Sequence, residues 1–244
     1  MGPTTTIQAL GMAACGAALV AITKQGSVGA AVAGMAVAAA SILGLGPGAL
    51  APLALFVLGG GFLTKWRSAR KRAMGAAEPN EGKRGVGHVA AKLAIPALVA
   101  TTAGLTGHGS GVVIAFVAGL AGALADTAGT EVGPLGGGAA YAFHGARPVS
   151  VPHGTAGAMS VIGLAATALG SAAVAAAAIA SGLIHGFGTA ALAAAAGFGA
   201  ALLESLIANS SLGRGLGHFG RNVFVSAVAT AFGLAAGLSL GGRP

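Results

Sequence analysis

Long runs of uncharged, apolar residues alternate with short polar segments along the whole chain. A helix that crosses the hydrocarbon core of a bilayer needs about 20 mainly apolar residues, and eight runs approach that length. These runs lie at about 4–22, 28–46, 49–64, 89–106, 110–127, 156–180, 184–207 and 221–240. The pattern predicts an all-α fold, a polytopic transmembrane helical bundle of about eight spans in a single domain, 1–244. The count falls to seven if the short third run, with its Gly59–Gly61 stretch, is partly re-entrant.

Composition supports a membrane location and excludes several other classes of protein. Charged residues make up 7% of the 244 residues and the mean hydropathy is +0.85, whereas soluble proteins carry roughly 25% charged residues. One cysteine excludes an intramolecular disulfide and a cysteine-based zinc site. The six histidines show no HExxH spacing, there is no GxSxG elbow, and no basic, aromatic-laced stretch indicates nucleic-acid binding.

The charges fall on one side of the predicted bundle. With eight spans, twelve of the 13 Lys and Arg residues and all five acids lie in or beside segments on the same side. Lys and Arg concentrate in cytoplasmic loops, so this side is predicted to be cytoplasmic, with both termini outside. It carries a basic loop, 65–88, and a Gly-rich loop, 128–155. The first run lacks the basic start of a signal peptide, and we expect a multi-pass protein of the plasma (inner) membrane.

Three carboxylates near the ends of spans are the first candidates for chemistry. Asp126, Glu131 and Glu204 sit where a charge is costly. On a continuous helix the step from Asp126 to Glu131 turns about 140°, but a helix ending at Gly129 would let both face one site. Three carboxylates then form a hard-oxygen site suited to Mg²⁺, or to Mn²⁺. The alternative is ordinary interfacial carboxylates, solvated or paired with nearby bases.

The basic loop also has two interpretations. Lys65 and Lys92 lie at or within predicted helix ends, and Arg84 lies in EGKRGVGH, where glycines such as Gly82 let backbone amides approach a ligand. Amides, guanidinium and ammonium groups together favour phosphate recognition. The alternative is the ordinary cytoplasmic excess of bases, with affinity for anionic lipid.

Several segments resemble one multi-pass family. From about Pro52 onward the chain contains, in order, GGGFLTKWRSARK, NEGKRGVGHVAAK, ADTAGTEVG, VPHGTAGAMS, ALLESLIANSS and RNVFVSAVAT. These resemble the family called domain of unknown function 92, which includes the phytyl-phosphate kinases of plants and cyanobacteria. The resemblance implies conversion of an isoprenyl monophosphate, of the phytyl or geranylgeranyl type, to its diphosphate. It implies a nucleoside triphosphate donor, with CTP expected, and a divalent metal.

The resemblance and the residues together suggest roles. Asp126, Glu131 and Lys65 are the predicted catalytic residues, and Asp126, Glu131 and Glu204 the predicted Mg²⁺ ligands. The predicted phosphate-binding residues are Arg84, Lys92, Thr155, Asn222 and Gly82. The prenyl tail is expected between Ala- and Gly-lined spans that open to the lipid.

Two alternatives stay open. One is a small multi-pass transporter or channel for an anion or a lipid. The other is a catalytically inactive, lipid-binding relative, because the chain has Gly-Thr-Ala-Gly-Ala at 154–158 where the family usually has Gly-Thr-Asp-Gly-Gly. The sequence also leaves open whether the chain forms a homo-oligomer.

Overall fold

The computed structural model describes residues 26–77, 85–107, 109–145 and 147–241, with a few isolated positions before residue 26. The first predicted span, at 4–22, therefore lies almost wholly outside the described residues. The helices are α1 (Val28–Leu45), α2 (Leu50–Ala54), α3 (Gly60–Lys65), α4 (Ser68–Ala73), α5 (Val86–Thr106), α6 (Ser110–Val132), α7 (Val161–Ala180), α8 (Phe187–Ile207) and α9 (Ser211–Gly241). Two strands, β1 (Ala140–His144) and β2 (Arg147–Val151), form an antiparallel hairpin.

Seven segments of the described chain are long and apolar enough to cross a membrane. They confirm the second to eighth predicted runs and the transmembrane helical class. The short third run is a full-length segment, Pro47–Lys65, which contains α2, a π-helical turn at Leu55–Gly59, and α3. Gly59 and Gly60 keep helical dihedral angles, so the run of glycines does not break this segment.

The prediction that a helix ends at Gly129 is wrong. Helix α6 continues to Val132, so the segment predicted as the Gly-rich loop 128–155 begins as helix. Gly129 serves helix packing instead, since a Cβ there would lie 2.2 Å from the Thr167 hydroxyl of α7. Only a residue without a side chain lets α6 and α7 approach so closely at this point.

The polar segments contain more regular structure than the sequence predicts. After α6 the chain forms a 3₁₀ turn at Gly133–Gly136 and then the β1–β2 hairpin, with Ala140 and Ala142 buried. Helix α7 begins at Val161, five residues later than predicted, where the Ser160 hydroxyl accepts a hydrogen bond from the Gly163 amide. The predicted basic loop 65–88 contains α4 and ends at Gly85, because α5 begins at Val86.

Helix α6 forms the centre of the bundle. Its residues between Ile114 and Ala125 are buried on every side, and α1, α2, α5, α7, α8 and the π-helical turn contribute to the same core. A helix that is apolar all round is typical of such a central position.

The connecting segments gather at the two ends of α6. One end holds the described residues of the segments before α5, before α7 and before α9, together with the basic residues described there. This agrees with the predicted one-sided distribution of charge.

Glycine brings α1 and α5 into backbone contact, and this contact yields a testable prediction. A Cβ on Gly44 would lie 1.8 Å from the Ala100 carbonyl oxygen, whereas a Cβ on Gly34 in the same helix meets no atom of the described residues within 4 Å. We expect Gly44→Ala to destabilise the protein by about 1–3 kcal/mol through overpacking. Gly34→Ala is the matched control and should be neutral or slightly stabilising, because alanine favours a helix. Thermal unfolding in detergent micelles checks this, and equal midpoints for both variants would contradict it.

Candidate functional site

A polar cleft of about 240 Å³ opens at the charged end of the bundle. It is bounded by α5, α6, α8, α9, the segment after α4, and the turn that leads from β2 to α7. Its polar and charged lining residues are His88, Lys92, Asp126, Thr127, Thr130, Glu131, His153, Thr155, Ser160, Glu204, Ser205, His218, Arg221 and Asn222. Segments far apart in the sequence therefore place their few polar side chains around one space.

The cleft brings together most of the predicted site residues. Those that line it are Lys92, Asp126, Glu131, Thr155, Glu204 and Asn222. Lys65 is exposed at the end of α3 and is absent from the described lining of the cleft. Lys65 is thus not among the predicted residues that the described cleft brings together, and its catalytic role stays a prediction. Gly82 and Arg84 lie outside the described residues.

Lys92 and Asp126 form the first of three ion pairs. The Lys92 ammonium lies 2.6 Å from Asp126 Oδ2 and also donates to the Thr127 hydroxyl at 3.0 Å. Lys92 is 4% exposed, and Ser226 of α9 donates to its main-chain carbonyl oxygen at 3.2 Å. The pair therefore joins α5 to α6, and α9 packs against the backbone at the same level. Asp126, 15% exposed, keeps part of its carboxylate open to the cleft.

Glu131 pairs with a residue that the sequence analysis did not select. The Lys71 ammonium donates to Glu131 Oε2 and, at 2.8 Å each, to the main-chain carbonyl oxygens of Leu63 and Thr64. Lys71 is fully buried, although it is one of four basic residues in RSARKR. Its carbonyl contacts cover the C-terminal end of α3, where a cation is favourable. No sequence pattern separates Lys71 from Arg70 and Arg72, which are exposed.

Glu204 of α8 pairs with Arg221 of α9. One guanidinium nitrogen of Arg221 lies 3.5 Å from Glu204 Oε1, and its Nε donates to the Gly217 carbonyl oxygen at 3.3 Å. The next residue, Asn222, contacts His218 one helical turn earlier. Its amide nitrogen donates to the His218 main-chain oxygen at 3.1 Å and lies 3.2 Å from Nε2 of the His218 ring. From the sequence alone, Arg221 served only to indicate which side of the bundle carries the charges. The break at Gly217 (φ 61°) starts the helical segment that places Arg221 over the cleft.

The three acids do not form the predicted three-carboxylate metal site. Within the described part of the chain, no group of three or more His, Cys, Asp or Glu side chains lies close enough to hold a metal ion. Because α6 continues past Gly129, Asp126 faces Lys92 while Glu131 faces Lys71. The geometry follows the alternative, carboxylates paired with nearby bases. Pairing offsets the cost of placing these charges within the ends of membrane spans.

The turn before α7 closes one side of the cleft with backbone. Gly154 (φ 88°) and Gly157 (φ 68°) adopt conformations that favour glycine. A Cβ on Gly157 would lie 2.5 Å from the Ser205 carbonyl oxygen of α8. The Asn209 amide donates to the Ala156 carbonyl oxygen at 2.9 Å. The turn is thus held against the end of α8, with Thr155 and Ala156 lining the cleft.

These groups suit phosphorylated ligands. Lys92 and Arg221 supply cationic donors, and the histidines and hydroxyls add further hydrogen-bonding groups. Asp126, Glu204 and the amide oxygen of Asn222 are hard-oxygen donors. Mg²⁺ is usually held by one or two carboxylates together with substrate phosphates. This donor set therefore fits a Mg²⁺ that arrives with a nucleotide, whereas Glu131 is committed to Lys71.

Comparison with known proteins gives one match. No curated protein and no solved structure matches the chain. The family described as Integral membrane protein DUF92 matches residues 8–210. The match starts well before Pro52 and covers the cleft residues of α5, α6 and α8, while the RNVFVSAVAT segment of α9 lies beyond it. Most of the chain is matched, and the protein therefore belongs to the integral membrane protein family DUF92.

Proposed function

We propose that this protein is a membrane-embedded kinase that converts an isoprenyl monophosphate, of the phytyl or geranylgeranyl type, to its diphosphate. The donor is a nucleoside triphosphate, with CTP expected, accompanied by Mg²⁺. The observation that carries the proposal is the convergence of two cations, the two carboxylates that pair with them and a glycine-bearing turn in one cleft at the charged end of the bundle. Membership of the family that includes phytyl-phosphate kinases supports the same assignment.

The proposed reaction needs little from the protein beyond positioning and charge. A phosphate monoester has a second pKa of about 6, so its oxygen is already an anionic nucleophile at pH 7. That oxygen attacks the γ-phosphorus, the bond from the γ-phosphorus to the bridging oxygen breaks, and the nucleoside diphosphate leaves. No strong general base is required. Catalysis comes from holding the two phosphates in line and neutralising their charge.

The cleft residues divide naturally between these tasks. In this proposal Lys92 and Arg221 neutralise the charge of phosphate oxygens. Thr155 and Asn222, which also line the cleft, form hydrogen bonds with the phosphates. Asp126 and Glu204 would hold the divalent ion of the nucleotide, which supplies further neutralisation of phosphate charge. Gly82 and Arg84 remain predicted phosphate-binding residues of the segment before α5. Lys65 has no part in this arrangement.

The packing of α6 argues for surface chemistry rather than transport. A second cavity lies at the opposite end of the bundle, lined by residues such as Ser110, Ile114 and His185. About 18 Å of helix separates Ile114 from Asp126. Over that distance the side chains of α6 are at most 3% exposed up to Ala125. A solute path along this helix would need the centre of the core to open.

One assay tests the proposal. The purified protein in lipid nanodiscs receives Mg²⁺, γ-labelled CTP and phytyl or geranylgeranyl monophosphate, with ATP, GTP and UTP in parallel. We expect labelled isoprenyl diphosphate from the unmodified chain and none from Asp126→Ala. Absence of diphosphate with every nucleotide and both acceptors would reject the kinase. Movement of the acceptor between leaflets without turnover would favour the transporter instead.

A further inference from the structure

The polar cleft continues into a narrow crevice between three membrane spans. This crevice, of about 30 Å³, shares Asp126, Gly129, Thr130, Ala158 and Ser205 with the cleft. Helix α6 forms its floor. The first two turns of α7 form one wall and the last two turns of α8 the other. The crevice is therefore a side branch of the candidate site that runs between α7 and α8.

The lining of the crevice changes from polar to apolar. The residues it shares with the cleft are mainly polar, whereas those that line only the crevice include Met159, Leu164, Ala201 and Leu202. Leu164 and Leu202 are partly exposed. Helices α7 and α8 both have the length and composition of membrane spans, so a leucine exposed on either helix is suited to contact with hydrocarbon. The crevice thus runs from the polar cleft toward apolar surface of the two spans.

The crevice walls hold few polar groups that an apolar chain would leave unsatisfied. The Thr167 hydroxyl donates to the Gly163 carbonyl oxygen of its own helix at 2.9 Å. Gly129 and Gly163 contribute no side chain. A hydrocarbon segment in contact with this wall therefore displaces no hydrogen bond of Thr167, which avoids the cost of burying an unpaired hydroxyl.

The crevice lies at the depth expected for the first carbon atoms next to a lipid phosphate. Leu164 lies three residues after the start of α7, and Leu202 lies five residues before the end of α8. At 1.5 Å per residue, both leucines sit about 5–8 Å inside the ends of their helices. The first carbon atoms of a lipid whose phosphate occupies the cleft would lie at this level.

We infer that this crevice is the lateral entrance by which a phosphomonoester on a hydrocarbon tail reaches the cleft from the bilayer. The phosphate lies in the cleft, its first carbons lie between α7 and α8, and the tail stays among the lipids. The identity of the acceptor rests on the proposed function. The crevice, of about 30 Å³, is far smaller than the cleft, of about 240 Å³, so only the first carbons fit inside it. The protein therefore selects its acceptor by the phosphate and the adjoining carbons, not by tail length.

Photolabelling tests the entrance without requiring turnover. An isoprenyl monophosphate with a diazirine on its first isoprene unit is added to the protein in nanodiscs, irradiated, and the labelled peptides are mapped by mass spectrometry. We expect label within 159–167 and 201–205, displaced by excess phytyl monophosphate. Leu202→Trp should reduce this label at least fivefold. Leu98→Trp is the matched control, since Leu98 of α5 is also lipid-exposed, and it should change nothing.

Two outcomes would overturn the inference. One is label concentrated on other helices. The other is label in the crevice that neither Leu202→Trp nor the milder Leu164→Phe reduces. Label on other helices would be detected with the unmodified chain alone, so that outcome does not depend on whether a variant folds.

Turnover separates this inference from the proposed function. With phytyl monophosphate we expect Leu202→Trp to lower the rate at least tenfold. With dimethylallyl monophosphate, which is water-soluble and also enters through the open cleft, the loss should be at least threefold smaller than with phytyl monophosphate. Equal losses with both acceptors would contradict a lateral entrance. If the unmodified chain transfers no phosphoryl group to either acceptor, the proposed function fails, and the photolabel still decides whether the entrance exists.

Discussion

Replacing Lys71 by methionine is expected to lower the free energy of unfolding by about 3–5 kcal/mol, the usual cost of leaving a buried charge without its partner. Lys71 is fully buried and donates to Glu131 and to two carbonyl oxygens at the end of α3. The other carboxylate oxygen of Glu131, Oε1, is buried without a hydrogen-bond partner in the described structure. Without Lys71, the carboxylate loses the cation that offsets its burial.

A double-mutant cycle distinguishes the ion pair from general packing. Glu131→Gln combined with Lys71→Met removes both charges, and we expect it to recover a large part of the stability lost in Lys71→Met alone. Arg72→Met is the matched control, because Arg72 is exposed in the same short helix. It should shift stability by less than about 0.5 kcal/mol. Unfolding by SDS in mixed micelles measures the unmodified chain, the single variants Lys71→Met and Glu131→Gln, their double variant and Arg72→Met. Equal losses for Lys71→Met and Arg72→Met would show that Lys71 is not buried as described.

The spans were predictable because each one depends on its own residues. About 20 apolar residues suffice to cross a bilayer whatever the rest of the chain does, so seven runs appear as described helices. The prediction that the charges lie on one side of the bundle followed from the same assignment of spans. The first span, outside the described residues, stays a prediction, as does the assignment of the charged end to the cytoplasm.

The cleft was only partly predictable, since it depends on contacts between distant segments. Lys92, Asp126 and Glu204 could be selected because a charge within a span is costly and demands a reason. Nothing in the sequence distinguished Lys71 in this way, because its burial depends on the packing of α4 against the end of α3. Arg221 was overlooked for the same reason, since only the break at Gly217 turns it toward Glu204.

Glycine was the hardest residue to interpret from sequence. Gly129 suggested a helix end because glycine often terminates helices, yet it lies in a continuous helix where Thr167 approaches it. The error has a physical cause. The same absence of a side chain allows a turn, a close helix crossing or neither, and only the neighbouring helix decides among them.

The sharpest test of the site is a comparison of two lysines. We expect Lys92→Met to lower kcat/KM for phosphoryl transfer by about 10²–10³-fold, the range found when one preorganised donor to a developing anion is removed. Lys92 lies in the cleft at 2.6 Å from Asp126, so its loss removes a cation from the phosphate site. It also leaves Asp126 repelling the nucleotide. Lys65→Met is the matched control and should change kcat/KM less than threefold, because Lys65 lies outside the described lining of the cleft.

The same pair of variants checks whether the loss arises at the phosphates. Lys92→Met should weaken binding of a non-hydrolysable nucleotide analogue as well as turnover, while Lys65→Met should alter neither. Lys92→Arg keeps the charge and should restore part of the nucleotide affinity, which a purely structural role in joining α5 to α6 would not require. Equal activity losses in Lys92→Met and Lys65→Met would instead place the reaction at the basic loop and reject the cleft as its site.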